Sequence, residues 1–235
     1  MLLEADQVTA GYGPIIVLRG VSLDQQEGEI ISVIGPNGAG KSTFLKAVAG
    51  QIPLLQGRIV FLGQDLGSGS IAQRGEQGII FVPQGSNVFP NLTVHENLEI
   101  ASALLHDRAR AAAGVERVLE NFPFLKQKKN KPARVLSGGE RQILALSRIL
   151  ILKPSLALLD EPSLGLAPLL VDMIFQEIVA MNREGISLLL VEQNAVKALS
   201  VSHRAYVLDL GQNRITGTGK ELLGNPDVQR LYLGG

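Results

Sequence analysis

Three short stretches of this chain hold residues whose types and spacing suit chemistry better than packing. Gly35-Pro36-Asn37-Gly38-Ala39-Gly40-Lys41-Ser42-Thr43 fits G-x-x-x-x-G-K-[ST]. Backbone N–H groups can wrap a polyphosphate only where no Cβ intervenes, which accounts for Gly38 and Gly40. Lys41 can then reach the β- and γ-phosphates, and the Ser42 hydroxyl can ligate Mg²⁺. In the second stretch, Asp160-Glu161 ends the apolar run Leu156-Ala157-Leu158-Leu159. Two carboxylates there are costly unless a cation or a water needs them. Asp160 fits a Mg²⁺ partner, and Glu161 a base or orienter of attacking water. The third is Leu136-Ser137-Gly138-Gly139-Glu140-Arg141-Gln142. Ser137 and Glu140 form a capping box, so both glycines fall in the first turn of a helix, at an intrinsic cost of about 1 kcal/mol each. They leave bare N–H groups at a positive helix end, a second anion site, unless the stretch is merely an odd helix start. The first two stretches together imply a nucleoside triphosphate with its Mg²⁺.

Weaker candidates surround these. Tyr12, between Gly11 and Gly13, could stack on a purine or be an ordinary loop tyrosine. Gln84 follows the apolar run Ile79–Val82, outside a strand's carboxyl end, where open α/β sheets bind ligands. His95, His106 and His203 are scattered through unrelated segments and read as structural or solvent-facing. Lys126 to Lys131 is a basic run without interleaved aromatics, so it reads as a solvated loop.

Composition narrows the classes. Lys+Arg and Asp+Glu each number 22, so no net field recruits nucleic acid or an anionic membrane. The absence of Cys excludes disulfides, thiol catalysis and Cys–zinc sites, and suits a reducing cytoplasm. No signal peptide is apparent, and no apolar run approaches the roughly 18 residues of a spanning helix, so a membrane role must come through partners.

The elements that must position these residues can be read in outline. Val8–Tyr12 and Val17–Leu23 are strand-like. Ile30–Ile34, the glycine loop and an apolar helical pattern to Ala49 form a strand–loop–helix unit. Gly57–Gly63 looks like a hairpin strand ahead of a flexible Gly67–Ser70 segment. Thr93-Val94-His95-Glu96 is a capping box opening a helical block over residues 91–152. Leu156–Leu159 and Ser187–Val191, apolar on both faces, read as buried parallel strands. A helix opens at Pro168, Ala205–Leu210 and Ile215 form a late hairpin, and a short terminal helix precedes the YLGG tail. The whole chain, 1–235, reads as one domain: residues 1–90 and 153–235 form the core with an antiparallel β portion, and residues 91–152 are inserted.

The ordered set GPNGAGKST, VPQG, LSGGERQ, LLDEP and SLGLAP resembles the ATP-binding cassette (ABC) ATPases, and the LSGGE string separates these from other P-loop proteins. EPSLGLAP at Glu161–Pro168, VEQN at Val191–Asn194 and the YLGG tail are similar to the second ATPase subunit of branched-chain or neutral amino-acid uptake transporters. Urea and amide importers are related closely enough to leave the solute open.

The resemblance implies an α/β P-loop fold with a mixed sheet core, an N-terminal antiparallel β portion and an inserted helical portion. It implies that Tyr12 stacks on adenine and that Gly35 to Thr43 (Gly35, Pro36, Asn37, Gly38, Ala39, Gly40, Lys41, Ser42, Thr43) hold the phosphates. Ser42, Gln84 and Asp160 would meet Mg²⁺, and Gln84 would also couple to a membrane subunit. Glu161, with Lys41 and Gln193, would carry out hydrolysis. Ser137, Gly138 and Gly139, with Glu140, would act in trans on ATP held by a second cassette, in a homodimer or a heterodimer with a sister ATPase. Residues 87–90 and the helical block would dock on integral membrane permeases, served by an extracytoplasmic solute-binding protein. The implied location is peripheral, on the cytoplasmic side of the plasma membrane.

Two positions depart from the family pattern. Gln193 stands where many members carry histidine, and an amide cannot take on charge between pH 5 and 8. Ala167 stands where many carry aspartate, which favours pairing with a non-identical partner. Two other readings differ in class. A soluble ABC ATPase acting on ribosomes or DNA usually brings tandem cassettes or a basic surface. A P-loop kinase for a small acceptor would lack LSGGERQ.

Overall fold

The computed structural model describes residues 1–85, 87–105 and 107–232. His106 and the Leu233–Gly235 part of the YLGG tail, both read above, lie outside the described residues.

In chain order, β1 (Leu3–Tyr12) and β2 (Ile15–Gln25) form a hairpin, and β3 (Ile30–Ile34) leads through the glycine loop into α1 (Lys41–Val48). β4 (Leu54–Phe61) and β5 (Gln64–Asp65) follow, then α2 (Ile71–Glu76) and β6 (Ile79–Val82). Next come only helices: α3 (Val94–Ala101), α4 (Arg108–Asn121), α5 (Pro123–Gln127) and α6 (Gly138–Leu152). Strand–helix alternation resumes with β7 (Leu156–Asp160), α7 (Pro168–Arg183), β8 (Ser187–Val191) and α8 (Ala195–Val201). β9 (Arg204–Asp209), β10 (Gln212–Thr218), α9 (Gly219–Gly224) and α10 (Pro226–Tyr232) complete the chain.

Two sheets result. One is antiparallel in the order β2-β1-β4-β5, and the other is mixed and six-stranded in the order β10-β9-β3-β8-β7-β6. Within the larger sheet only the β9–β10 pair is antiparallel. Successive strand side chains point to opposite faces, which divides the apolar residues between two cores. Ile30, Ala157, Leu159, Leu188 and Leu190 face the helices α3, α4, α6 and α7. Ile31, Val33, Leu156, Leu158, Leu189 and Val191 face α1 and the antiparallel sheet. α1 is thus enclosed between the sheets, with Phe44, Leu45, Ala47 and Val48 fully buried.

The expected α/β fold with its mixed core sheet and N-terminal antiparallel sheet is what the chain adopts. One local expectation needs correction. The Gly67–Ser70 segment is held rather than loose. Arg74, only 3% exposed, donates to Val48 O at 2.8 Å, Gly67 O at 3.1 Å and Gly69 O at 3.2 Å, and Ser70 caps α2. Arg74→Met is expected to cost about 3 kcal/mol, from roughly 1 kcal/mol per lost carbonyl bond, and so to lower Tm by about 6–12 °C. Calorimetry reads this directly, and an unchanged Tm would mean that the carbonyls regain water. The basic run is solvated as expected, with Lys126, Lys129 and Lys131 exposed, while its backbone holds the start of α3. Lys129 O and Lys131 O accept from His95 N and Val94 N, and Lys128 Nζ lies 2.7 Å from Glu140 Oε1.

Two of the three histidines are described, and both take part in local contacts. His203 Nδ1 accepts from Ile30 N at 2.9 Å, and His95 faces Glu99. No cluster of three His, Cys, Asp or Glu side chains able to hold a metal occurs among the described residues. Nor is any helix among them long and apolar enough to cross a membrane.

Candidate active site

β3, β6, β7 and β8 run parallel, so their carboxyl ends meet along one sheet edge. That edge receives the glycine loop from β3, Gln84 from beyond β6, Asp160 and Glu161 from β7, and Gln193 from beyond β8. Residues up to 158 positions apart in sequence, Gly35 to Gln193, therefore share one edge because of crossover topology alone.

The loop is shaped by steric necessity at its first glycine. Gly35 has φ +147°, and a Cβ there would lie 2.0 Å from Leu208 O on β9. At the far end Gly40 begins α1 without any side-chain cap, and no acidic residue occupies the first turn. The leading N–H groups of α1 are therefore left for an outside acceptor at the positive end of the helix. Lys41 Nζ closes over the loop, donating to Gly35 O at 2.9 Å and Pro36 O at 3.0 Å. Burial lowers the Lys41 ammonium, and the charges of Glu161 and Asp160 work against that shift. Asn37, Gly38 and Ala39 form the turn between, and Thr43 is buried one position beyond Ser42.

The carboxylates lie directly beneath. Ser42 Oγ donates to Asp160 Oδ1 at 2.7 Å, and Asp160 is 2% exposed. Burial raises the Asp160 carboxyl, opposed by the Ser42 bond and by Lys46 and Lys41. Burial also raises Glu161, with Lys41 lowering it and Asp160 raising it further. Gln84 Nε2 lies 3.3 Å from Glu161 Oε2. Glu161 adopts φ +47°, a left-handed conformation costing a non-glycine residue roughly 1–2 kcal/mol. Its N–H donates to Val191 O at 2.8 Å, so two neighbouring strands clamp the strained residue.

A divalent cation suits this donor set by type. A serine hydroxyl and a desolvated carboxylate meet as oxygen donors, and Mg²⁺ needs only one or two protein oxygens, since it keeps several waters and takes substrate phosphates for the rest.

Other sequence-derived residues are placed as follows. Tyr12 ends β1 at the hairpin turn, 44% exposed, with Lys46 Nζ of α1 6.0 Å from its ring centroid. Its ring thus lies beside the helix that carries Lys41. Gln193 is exposed after β8. Ser137 caps α6, its Oγ accepting from Glu140 N at 3.3 Å, and Glu140 Oε2 accepts from Ser137 N at 2.7 Å. Glu140 is thus committed to the cap and to Lys128, while the Gly138 and Gly139 N–H groups have no partner among the described residues. Gly139 also has a packing reason: a Cβ there would lie 2.7 Å from Leu170 Cδ1. No hydrogen bond joins this turn to the glycine loop among the described residues. Ala167, the second departure, occupies the N-cap of α7 without a side-chain cap.

Sequence reasoning passed over Glu192. It is 1% exposed and accepts from Ser163 N at 2.9 Å. The available signal was an acid closing the apolar run Leu188–Val191, the same signal that picked out Asp160 after Leu156–Leu159.

Fold and glycine loop together define a P-loop nucleotide hydrolase. The family model described as "ABC transporter" matches residues 18–164. The chain is 44% identical to the high-affinity branched-chain amino acid transport ATP-binding protein BraG of Pseudomonas aeruginosa over 100% of both chains. It is 37% identical to the probable branched-chain amino acid transport ATP-binding protein LivF of Archaeoglobus fulgidus over 99% of both. Among solved structures, the ADP conformation of MJ1267, an ATP-binding cassette of an ABC transporter, superposes with TM-score 0.86 at 28% identity, covering 100% of this chain and 99% of that one. The chain belongs to the ABC transporter ATP-binding family and is an ATPase of that family.

Proposed function

We propose that this chain hydrolyses Mg-ATP as a peripheral subunit on the cytoplasmic side of the plasma membrane, energising uptake of branched-chain or other neutral amino acids through partner permeases. The observation that carries the hydrolytic part is the meeting of Ser42, Asp160 and Glu161 beneath the loop that Lys41 closes. The full-length likeness to BraG and LivF supports the solute class.

The residue roles we assign are those the family likeness implies, and the positions of Lys41, Ser42 and Asp160 support them. Gly35 to Thr43 would hold the phosphates, Tyr12 would offer a face to the adenine, and Ser42, Asp160 and Gln84 would hold Mg²⁺, which would supply positive charge against the triphosphate. Glu161 takes the proton of the attacking water, and its raised carboxyl makes it a stronger base. Ser137, Gly138 and Gly139 complete the site of a second cassette rather than their own, with Glu140 securing the cap. Residues 91–152 make up the inserted helical portion, which packs on the core sheet. A groove of about 480 Å³ between that unit and the core, lined by Val88, Phe89, Ile100 and Leu104, receives the permease.

Gln193→Ala in the assembled transporter is expected to lower ATP turnover about 10-fold through loss of one γ-phosphate hydrogen bond. Between pH 5 and 8, wild-type turnover should show no step assignable to position 193, because an amide does not titrate there. Full activity in Gln193→Ala would remove Gln193 from the site. For the solute, radiolabelled leucine uptake by cells carrying the chain and its permeases should vanish with Glu161→Gln. Uptake of urea or amides in place of leucine would overturn the solute class and leave the ATPase intact.

A further inference from the structure

The loops that follow β7 and β8 are joined at two levels. The main chain makes the first link, Glu161 N to Val191 O at 2.8 Å. A side chain makes the second: Glu192 Oε1 accepts from Ser163 N at 2.9 Å, while Oε2 accepts from Asn194 N at 3.4 Å. Glu192 thereby spans from two residues beyond Glu161 to the residue just beyond Gln193. Asn194 is itself tied down, its Oδ1 accepting from Lys197 N at 3.1 Å as the N-cap of α8.

Nothing about simple packing favours a carboxylate here. Glu192 is 1% exposed, and no lysine or arginine pairs with it among the described residues. Burial raises its carboxyl, and the Glu161 charge adds to that. A buried acid next to another acid is held only where its acceptors are in use. What those acceptors fix is the conformation on either side. Glu161 keeps its left-handed backbone (φ +47°) only if its surroundings over-determine it, and Ser163 lies in the turn that follows.

We propose that Glu192 is a positioning residue for hydrolysis, a bracket that fixes the Glu161 turn against the Gln193 loop and so sets the separation between the carboxylate and the amide. The proposal rests on the reading of Glu161 as the group that accepts the water's proton. Glu192 is enclosed by the protein, with its oxygens turned to backbone N–H groups. It acts by holding Ser163 and Asn194, so its removal misplaces Glu161 without altering the phosphate loop.

The test uses the full-length chain with its permeases, comparing Glu192→Ala, Glu192→Gln and Glu161→Gln. Displacing a catalytic group by about 1 Å can cost on the order of 10²-fold in rate. Glu192→Ala is therefore expected to lower kcat about 10²-fold, with ATP affinity, read by a fluorescent analogue, changed less than about 2-fold. Glu192→Gln keeps one acceptor oxygen for Ser163 N and is expected to recover about 10-fold of that loss. Wild-type kcat in Glu192→Ala would overturn the proposal. So would equal losses of kcat and ATP affinity, or no recovery in Glu192→Gln, since those mark general loosening. If Glu161→Gln is inactive while Glu192→Ala is normal, only the bracket fails; if Glu161→Gln hydrolyses normally, the reading beneath it fails.

Discussion

Glu161→Gln is expected to lower ATP turnover by about 10²–10⁴-fold, the usual worth of a positioned general base, while leaving ATP bound. The substitution is nearly isosteric, so the φ +47° backbone and its bond to Val191 O can persist. What disappears is the carboxylate that burial and Asp160 have made more basic than usual. Binding should hold or tighten, because one negative charge beside the triphosphate is removed while Lys41 and the loop are untouched. Phosphate release measured alongside retained nucleotide would separate the two effects. The same variant should accumulate as a pair of cassettes with trapped ATP, visible as a shift in size-exclusion elution. Hydrolysis at the wild-type rate would withdraw Glu161 from its role.

Lys41→Met should abolish function by the opposite route. A unit charge pair near 4 Å is worth about 4 kcal/mol at an effective dielectric constant of 20, so ATP affinity should fall by roughly 10²–10³-fold. Methionine keeps the apolar stem that packs in the loop. The ligand-free protein should lose little stability, because burial already opposes the ammonium, and its acceptors Gly35 O and Pro36 O lie at a mouth where water can replace it. Isothermal titration with Mg-ATP and a melting curve without nucleotide check the two halves. A large drop in melting temperature would mean that Lys41 serves the fold instead. Unchanged affinity would move the phosphates elsewhere.

Much of the architecture was legible because it is written in short range. The glycine loop, the β-branched run before it, and the capping boxes at Thr93 and Ser137 involve residues within a few positions of each other. Their hydrogen bonds form as anticipated: Thr93 N to Glu96 Oε2 and Ser137 N to Glu140 Oε2, each at 2.7 Å. Buried parallel strands announced themselves as unbroken apolar runs, and the family likeness followed from the order of the motifs. Sequence pattern did not reveal α2, whose core-facing residue is a single arginine. Arg74 finds its acceptors at Val48, Gly67 and Gly69, so the apparently flexible Gly67–Ser70 segment becomes a fixed turn.

The sequence by itself determined that the chain holds a phosphate loop, an acid pair, a glycine-headed helix and the strands to carry them. Each is a local pattern of backbone freedom, capping or apolar periodicity. Only the tertiary structure decided their relations. It brought Ser42 to Asp160 across 118 positions, put Leu170 against the face that Gly139 leaves open, and turned Glu192 back onto Ser163. The physical reason is that hydrogen bonds between distant residues exist only after parallel strands have paired and the crossover helices have packed, and no window of sequence encodes that juxtaposition.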